Sequence, residues 1–598
     1  MFYIEKGDLC FKSRGMSIKN FGFNLKVYDT VLTSKINAVT ACDCNENVAI
    51  IRTEYYDLTL RAEKAAKGAL FFVSAKIKKT IKTATEFMVR FKINANPVTC
   101  VYNTIYGING SEIFDMQSQA KTETLVEGGS ATGAGYVSFS ARKKKYGVIG
   151  SVTYENYFNT VTVNENGSVF VRANLNGQNF AENSVFNLDE FCVITENSPD
   201  ILFSYGKLIA KKNGIKDRPI DKLAGWCSWY YYGTNINENN LLKQLDILAD
   251  KTRGFNTFQI DAGWEKCLGD WTENEKFPHG MKYLCDKIKE KGFVPGIWVA
   301  PFYFADDSET FAAHKDWFVT AQTDRNYIDY SVKGAADFLS DLFKKLSYEW
   351  GYRYIKIDLV SYNIAGCGYS RADFSPLKNY RTALKIIKES VTADTKILTC
   401  TSPIDASAGL CDSVRTSIDI FEDFNAVKEV AKMVYKRNFV SEFAVVDPDC
   451  FMVRTPDKQD GECFRFCTRS ETEIRTFKTF IRSVGGTTMI SDKLSLLDEK
   501  DFGKYAELLP INARAGVPLD LYKRDYPSVI DMGDDETFRT VALINWEDEE
   551  KTFCFFAGKN DGILLTYKNI EIESLDTVKV KLAAHDSEIL KIKLKKDL

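Results

Sequence analysis

Between Gly225 and Ile490 short apolar runs alternate with amphipathic helical patterns, and this alternation constrains the fold more than any other feature of the chain. Gly225–Trp229, Thr257–Asp261, Val294–Ala300, Tyr354–Asp358, Lys396–Cys400 and Ser413–Ser417 read as strands, with later ones near Phe443–Val446 and Thr488–Ile490. Helical spacing places Leu241, Leu242, Leu245 and Leu248 on one face of Asn237–Lys251, and Met281, Leu284, Cys285 and Ile288 on one face of Met281–Lys291, with Gly292 as its stop. Further helical patterns cover Lys333–Trp350 and Leu377–Ser390, and Ser470 with Glu473 reads as a capping box. About six to eight such units fit a (β/α)8 TIM barrel. A doubly wound open sheet is the rival, but no GxGxxG or GxxxxGK[ST] loop follows any strand.

The flanks have a different grammar. From Met1 to about Leu202, period-two alternation such as Thr85–Ile93 and Ser168–Leu175, broken by Gly, Asn and Asp, reads as an antiparallel β-sandwich. A polar stretch, Lys211 to Pro219, breaks it, and alternation returns after about Val517 in Thr540–Asn545, Lys551–Phe556, Val578–Leu582 and Ile589–Leu594. The expected organisation is an N-terminal β-sandwich over residues 1–210, a linker over 211–222, a catalytic barrel over 223–510 and a C-terminal β-sandwich over 511–598.

Composition removes several function classes. The 78 basic and 81 acidic side chains give a net charge of −3, so no phosphate-neutralising field is expected and nucleic acid is not an expected partner. The three histidines, His279, His314 and His585, stand far apart and in no metal-ligand spacing such as HExxH, so a His-rich zinc site is not expected. The 15 cysteines contain no CxxC pair and suit reduced thiols. The start, MFYIEKGDLC, lacks a signal-peptide pattern, and the run Phe293–Phe304 is too short to span a bilayer, so a cytoplasmic protein without membrane attachment is expected. A homo-oligomer is left open.

In a barrel, chemistry gathers where strands end at their carboxyl side. In Tyr354-Ile355-Lys356-Ile357-Asp358, alternation puts Lys356 and Asp358 on one face, where the ammonium favours the charged carboxylate a nucleophile needs; the same spacing serves a structural ion pair equally well. Asp261 ends the second strand near Trp264 and Trp271, an arrangement suited to a sugar, although a turn residue and plain core aromatics would look the same. Trp229 lies in an aromatic cluster, Trp226 to Tyr232. After the sixth strand, Arg415 could clamp a substrate and Asp419 could donate a proton, with a helix cap as the structural alternative for Asp419.

Taken in order, Gly225-Trp226-Cys227-Ser228-Trp229, Ile260-Asp261-Ala262-Gly263-Trp264, Gly269-Asp270-Trp271, Phe277-Pro278-His279-Gly280-Met281, Pro295 to Phe302, Lys356-Ile357-Asp358, Gly409 to Arg415 and Asp447-Pro448-Asp449-Cys450 resemble the melibiase-type α-galactosidases, glycoside hydrolase family 36 of clan D. The resemblance covers roughly Leu223 to Pro510. It implies an N-terminal β-supersandwich, a (β/α)8 barrel and a C-terminal β-sandwich, and a retaining hydrolase that takes terminal α-linked galactose from small oligosaccharides and needs no metal or organic cofactor. Carried over by position, it makes Asp358 the nucleophile and Asp419 the acid/base. It places Asp261 and Lys356 on sugar hydroxyls, Trp271 along the sugar subsite, and Arg415 and Cys400 beside the reacting sugar; Trp229 of the aromatic cluster is a further candidate substrate-binding residue.

One position departs from the pattern. Where many members carry two adjacent aspartates, this chain has Asp261-Ala262, so one charged grip on a sugar hydroxyl is absent. Such a contact is worth about 1.5–3 kcal/mol, one or two decades in preference, which leaves galactose or a related hexose as the expected glycon. An α-galactosyltransferase of raffinose-synthase type and an inactive carbohydrate-binding barrel are the alternative functions.

Overall fold

The computed structural model describes the chain except for residues 14–15, 105–119, 217–221, 321–324, 362–363, 536, 557–559, 566–569, 573–576 and 595–598. Its N-terminal part is built from a seven-stranded and a ten-stranded antiparallel sheet. The two regions whose alternation is clearest in sequence lie in neighbouring long strands, Ile81–Ile93 and Ser168–Phe180, with Val89 opposite Val171. Period-two residues such as Phe87, Val89, Phe91, Val169 and Val171 turn inward to meet Phe71, Val73, Phe191 and Val193 of the other sheet. This packing makes the N-terminal part a sandwich.

The expected linker begins inside a helix, Ile201–Lys212, which buries Ile201, Leu202, Tyr205 and Ile209; residues 217–221 of that linker lie outside the described residues.

The central part is the parallel barrel. Its sheet runs Val445–Asp447, Ser413–Arg415, Lys396–Thr399, Tyr354–Ile357, Val294–Val299, Thr257–Ile260, Ala224–Cys227, Thr488–Ile490 and Cys450–Phe451, each pair parallel. The two ends of this series are halves of one segment, so the sheet closes on itself through a split seventh strand. Pro448, which has no N–H to give a ladder, and Asp449, held at φ 78°, separate the halves. Asp447 pairs with Arg415 on one side of the split and Cys450 with Met489 on the other.

Helices follow the strands as periodicity requires, with Asn237 capping Glu238–Lys251, Ser375 capping Pro376–Glu389 and a full Ser470/Glu473 capping box opening Glu471–Val484. The first strand ends at Cys227, two residues before the expected Trp229, which instead opens a helical turn, Trp229–Tyr232. After the fifth strand a single turn, Asp405–Ser407, stands where a full helix would be. The N-terminal part abuts this side: Tyr154 donates to Asp405 Oδ2 at 3.1 Å, and Tyr205 packs on Phe439 with ring centroids 5.6 Å apart. Its strands thereby share one apolar core with the barrel.

The C-terminal part packs a five-stranded against a three-stranded sheet around Val541, Leu543, Phe553, Val578, Val580 and Leu590. It docks on helix Glu471–Val484 through Arg475 to Asp586 at 2.6 Å and Thr476 Oγ1 to the His585 carbonyl at 2.6 Å. Among the described residues no helix is long and apolar enough to cross a membrane.

Candidate active site

A cavity of about 550 Å³ opens at the carboxyl ends of the barrel strands. Residues from six strand ends line it, including Trp229, Asp261, Trp298, Lys356, Asp358, Thr401 and Asp419. A larger cavity, about 990 Å³, lies at the opposite end, against the first residues Ala224 and Val445 of two strands. Its walls carry Lys222, Arg253 and Arg514 but one carboxylate, Glu442, and it sits at the end that barrels leave to stability rather than chemistry.

Asp358 follows directly on Tyr354–Ile357, so its backbone is fixed by the sheet while its side chain reaches the cavity. Its Oδ1 accepts from Leu359 N–H at 2.7 Å and Thr401 Oγ1 at 2.9 Å; its Oδ2 accepts from Trp298 Nε1 at 3.1 Å and stands 3.6 Å from Lys356 Nζ. Burial by itself would raise this carboxyl, but the Lys356 charge and the Trp298 and Leu359 donors outweigh it and hold Asp358 below the usual carboxylate range. Lys356 is shared: its ammonium also meets Asp261 Oδ2 at 3.0 Å. Burial would strip its proton, yet the two carboxylates more than offset that, and the side chain stays charged. Asp261 also accepts from Gln259 Nε2 at 2.9 Å, so it anchors the lysine while facing the cavity. Of the two readings of the Lys356–Asp358 spacing, the ion pair and the cavity-facing carboxylate are thus both present.

Asp419 enters the same cavity from beyond the sixth strand, with 34% of its side chain exposed against 13% for Asp358. It does not cap a helix; the helix Phe424–Arg437 is capped by Asp423. Instead Asp419 Oδ1 accepts from Arg415 Nη1 at 3.2 Å. Arg415 is buried and itself fixed by both halves of the split strand, Nε on Asp447 Oδ2 at 2.9 Å and Nη2 on Asp449 Oδ1 at 2.9 Å. Three carboxylates share one guanidinium. Burial accordingly pushes the Asp449 carboxyl above the usual range, Arg415 pulling it down and Asp419 and Asp447 pushing it up. Asp449 also accepts from Tyr230 Oη and from Ile420 N–H, which ties down the residue after Asp419.

The other expected residues divide. Trp229 lines the cavity, half-buried. Cys400 is buried beneath it, its thiol pushed well up first by burial and then by the Asp358 charge, so it stays neutral. Arg415 touches the cavity through Asp419 rather than lining it. Trp271 is not among the lining residues: it lies behind Trp298, with ring centroids 6.1 Å apart, and its indole N–H is buried without an acceptor among the described residues. The wall it was expected to provide belongs to Trp298, which sits beside Lys356 on the neighbouring strand. Sequence reasoning also passed over Thr401, which braces Asp358, and Glu265, whose carboxyl lines the cavity while Oε2 accepts from Gly263 N–H at 2.9 Å.

Comparison with known proteins follows this geometry. The Melibiase family model matches residues 201–392. The chain is 30% identical over 159 residues to an α-galactosidase of Escherichia coli, a match that takes in 24% of this chain and 22% of that enzyme's length. Among solved structures it is similar to the galactosidase domain of the α-galactosidase–sucrose kinase AgaSK, with TM-score 0.65 and 14% identity over 97% of this chain and 86% of that one. It is also similar to a family 36 α-galactosidase, AgaA, of Geobacillus stearothermophilus in complex with raffinose, with TM-score 0.60 and 13% identity over 99% and 88% of the two chains. The chain thus carries a match to the Melibiase family model over residues 201–392 and shares the multidomain fold of these solved family 36 structures.

Proposed function

We propose that the protein is a retaining α-glycosidase, α-galactosidase-like, that removes terminal α-linked galactose or a related hexose from small glycosides by double displacement. The observation that carries this reading is the convergence of Asp358 and Asp419 on one cavity from different strands, one carboxylate held ionised by Lys356 and the other tethered by Arg415. A carbohydrate-binding barrel without catalysis has no need of that pair.

In the first step an Asp358 oxygen attacks the anomeric carbon as its bond to the leaving oxygen breaks, and Asp419 gives its proton to that oxygen. In the second, water attacks the same carbon, Asp419 takes the water's proton, and the Asp358 carboxylate departs. Asp261 and Lys356 would meet sugar hydroxyls at the deep end, and Trp298 would orient Asp358 through its N–H. All fifteen cysteines are free thiols, which supports a reducing, cytoplasmic setting.

Aryl α-glycosides of galactose, N-acetylgalactosamine and glucose test the reading; turnover of none overturns it. On the accepted glycon, Asp419→Ala should cost a natural disaccharide about 10³-fold in kcat/KM but an aryl glycoside with a good leaving group about tenfold or less, because only the first needs the proton. Equal losses on both would remove Asp419 from the acid role.

A further inference from the structure

The mouth of the cavity carries more exposed aromatic surface than a sugar-binding rim requires. Phe421, two residues beyond Asp419, lines the cavity and is 37% exposed; Phe464, on the segment after the split strand, is 44% exposed. These rings are not scattered. Phe464 packs edge-on against Trp229, itself a lining residue, with centroids 5.2 Å apart, and the Arg465 guanidinium lies 4.6 Å from the Phe421 ring centre and 4.9 Å from that of Phe464. Arg465 therefore stitches two separate loops into one surface, and Glu422 holds its far side at 3.4 Å. Gly233 permits the approach: a Cβ there would meet the Phe464 ring at 2.7 Å.

The place of this surface follows from the chemistry. The group that protonates a leaving oxygen must face the leaving group, so in the reading of Asp419 given above, Phe421 and Ile418 on either side of it flank whatever the glycon is attached to. A second sugar at that position brings several hydroxyls that lose water and need partners. Among the described residues the surface around Asp419 offers the rings of Trp229, Phe421 and Phe464 and the aliphatic Ile418; of the polar groups nearby, Glu265 is already engaged by Gly263 N–H, Thr234 adds a single hydroxyl, and the Arg465 guanidinium is engaged by Glu422 and two aromatic faces. A flat apolar group is served there; a polyol is not.

We propose that Trp229, Phe421 and Phe464 form a leaving-group subsite that selects glycosides of aromatic aglycones over oligosaccharides. This rests on the α-glycosidase reading of the cavity.

The test uses leaving groups of similar acidity, so that binding and not departure is compared: methyl, benzyl and 6-O-glucosyl α-glycosides of the glycon the enzyme accepts. The expected kcat/KM for the benzyl glycoside exceeds both others by about tenfold or more. In Phe421→Leu and Phe464→Leu the benzyl-to-methyl ratio falls several-fold, and Phe421→Tyr restores it. A 6-O-glucosyl substrate equal to or better than the benzyl one overturns the proposal while leaving the glycosidase reading intact. So does a ratio that stays constant in the leucine variants, including the case in which they dissociate an oligomer in sedimentation and the rings form a seam between copies. Turnover of none of the three overturns both readings together.

Discussion

Asp358→Ala should lower kcat on α-glycosides by about 10⁴-fold or more, because the side chain forms the bond on which both steps depend. The fold should survive it. Lys356 keeps its 3.0 Å contact with Asp261, so no buried ammonium is left alone, and the melting temperature should stay within a few degrees of the parent. Added azide should restore turnover of an aryl α-glycoside and yield the β-glycosyl azide, the small anion entering from the face that the carboxylate has vacated. Unchanged activity, or an α-azide, would remove Asp358 from the mechanism. The pH profile carries the same information. Because the folded Asp358 carboxyl is held below its ordinary value, its charged form, and the stability that charge brings, are lost only as pH falls through the lowered value. The acid limb of kcat/KM should therefore lie below the ordinary carboxylate range and move up in Lys356→Met.

Arg415→Met should be the most damaging single change to stability near the cavity. It removes the one cation shared by Asp447, Asp449 and Asp419, the first two with side chains only 3% and 0% exposed. Stranding buried carboxylates in this way costs about 3–5 kcal/mol. The loss should appear in the denaturant midpoint with little change in slope. Adding Asp449→Asn to Arg415→Met should recover part of it, since the pair is coupled and the double variant leaves one fewer unpaired charge. A loss below about 1 kcal/mol would mean that water reaches the triad and that Arg415 does not fix Asp419.

The barrel was legible because parallel strands buried on both faces read as continuous apolar runs, and all eight expected strands fall within a residue or two of their observed ends. The split seventh strand was not legible. Pro448 signals a break, but the left-handed turn at Asp449 is imposed by Arg415 and Tyr230, which come from elsewhere in the chain. The reduced fifth helix was also hidden, because what abuts that side of the barrel, Tyr154, lies 251 residues before Asp405.

Within the cavity, the carboxylates were readable as polar residues closing apolar runs. Trp298 was not: inside Val294–Val299 it has the appearance of core, and only the neighbouring strand reveals that its N–H meets Asp358. Trp264 and Trp271 gave the opposite error in emphasis, since tryptophans next to a carboxylate look like a sugar platform. Here both support Trp298 from behind, Trp264 through its own N–H on the Trp298 carbonyl at 2.9 Å. The aromatic mouth was invisible because Phe421 and Phe464 come from loops without periodicity and are joined by Arg465, which stands between them in the fold.

The central claim is that Asp358 and Asp419 act in turn on one anomeric centre. Proton NMR of the sugar released in the first seconds of aryl α-glycoside hydrolysis, before mutarotation, tests it most directly. The account predicts that the α-anomer appears first and the β-anomer only as the sugar equilibrates. Initial release of the β-anomer would mean a single displacement by water, and Asp358 could not then be the nucleophile.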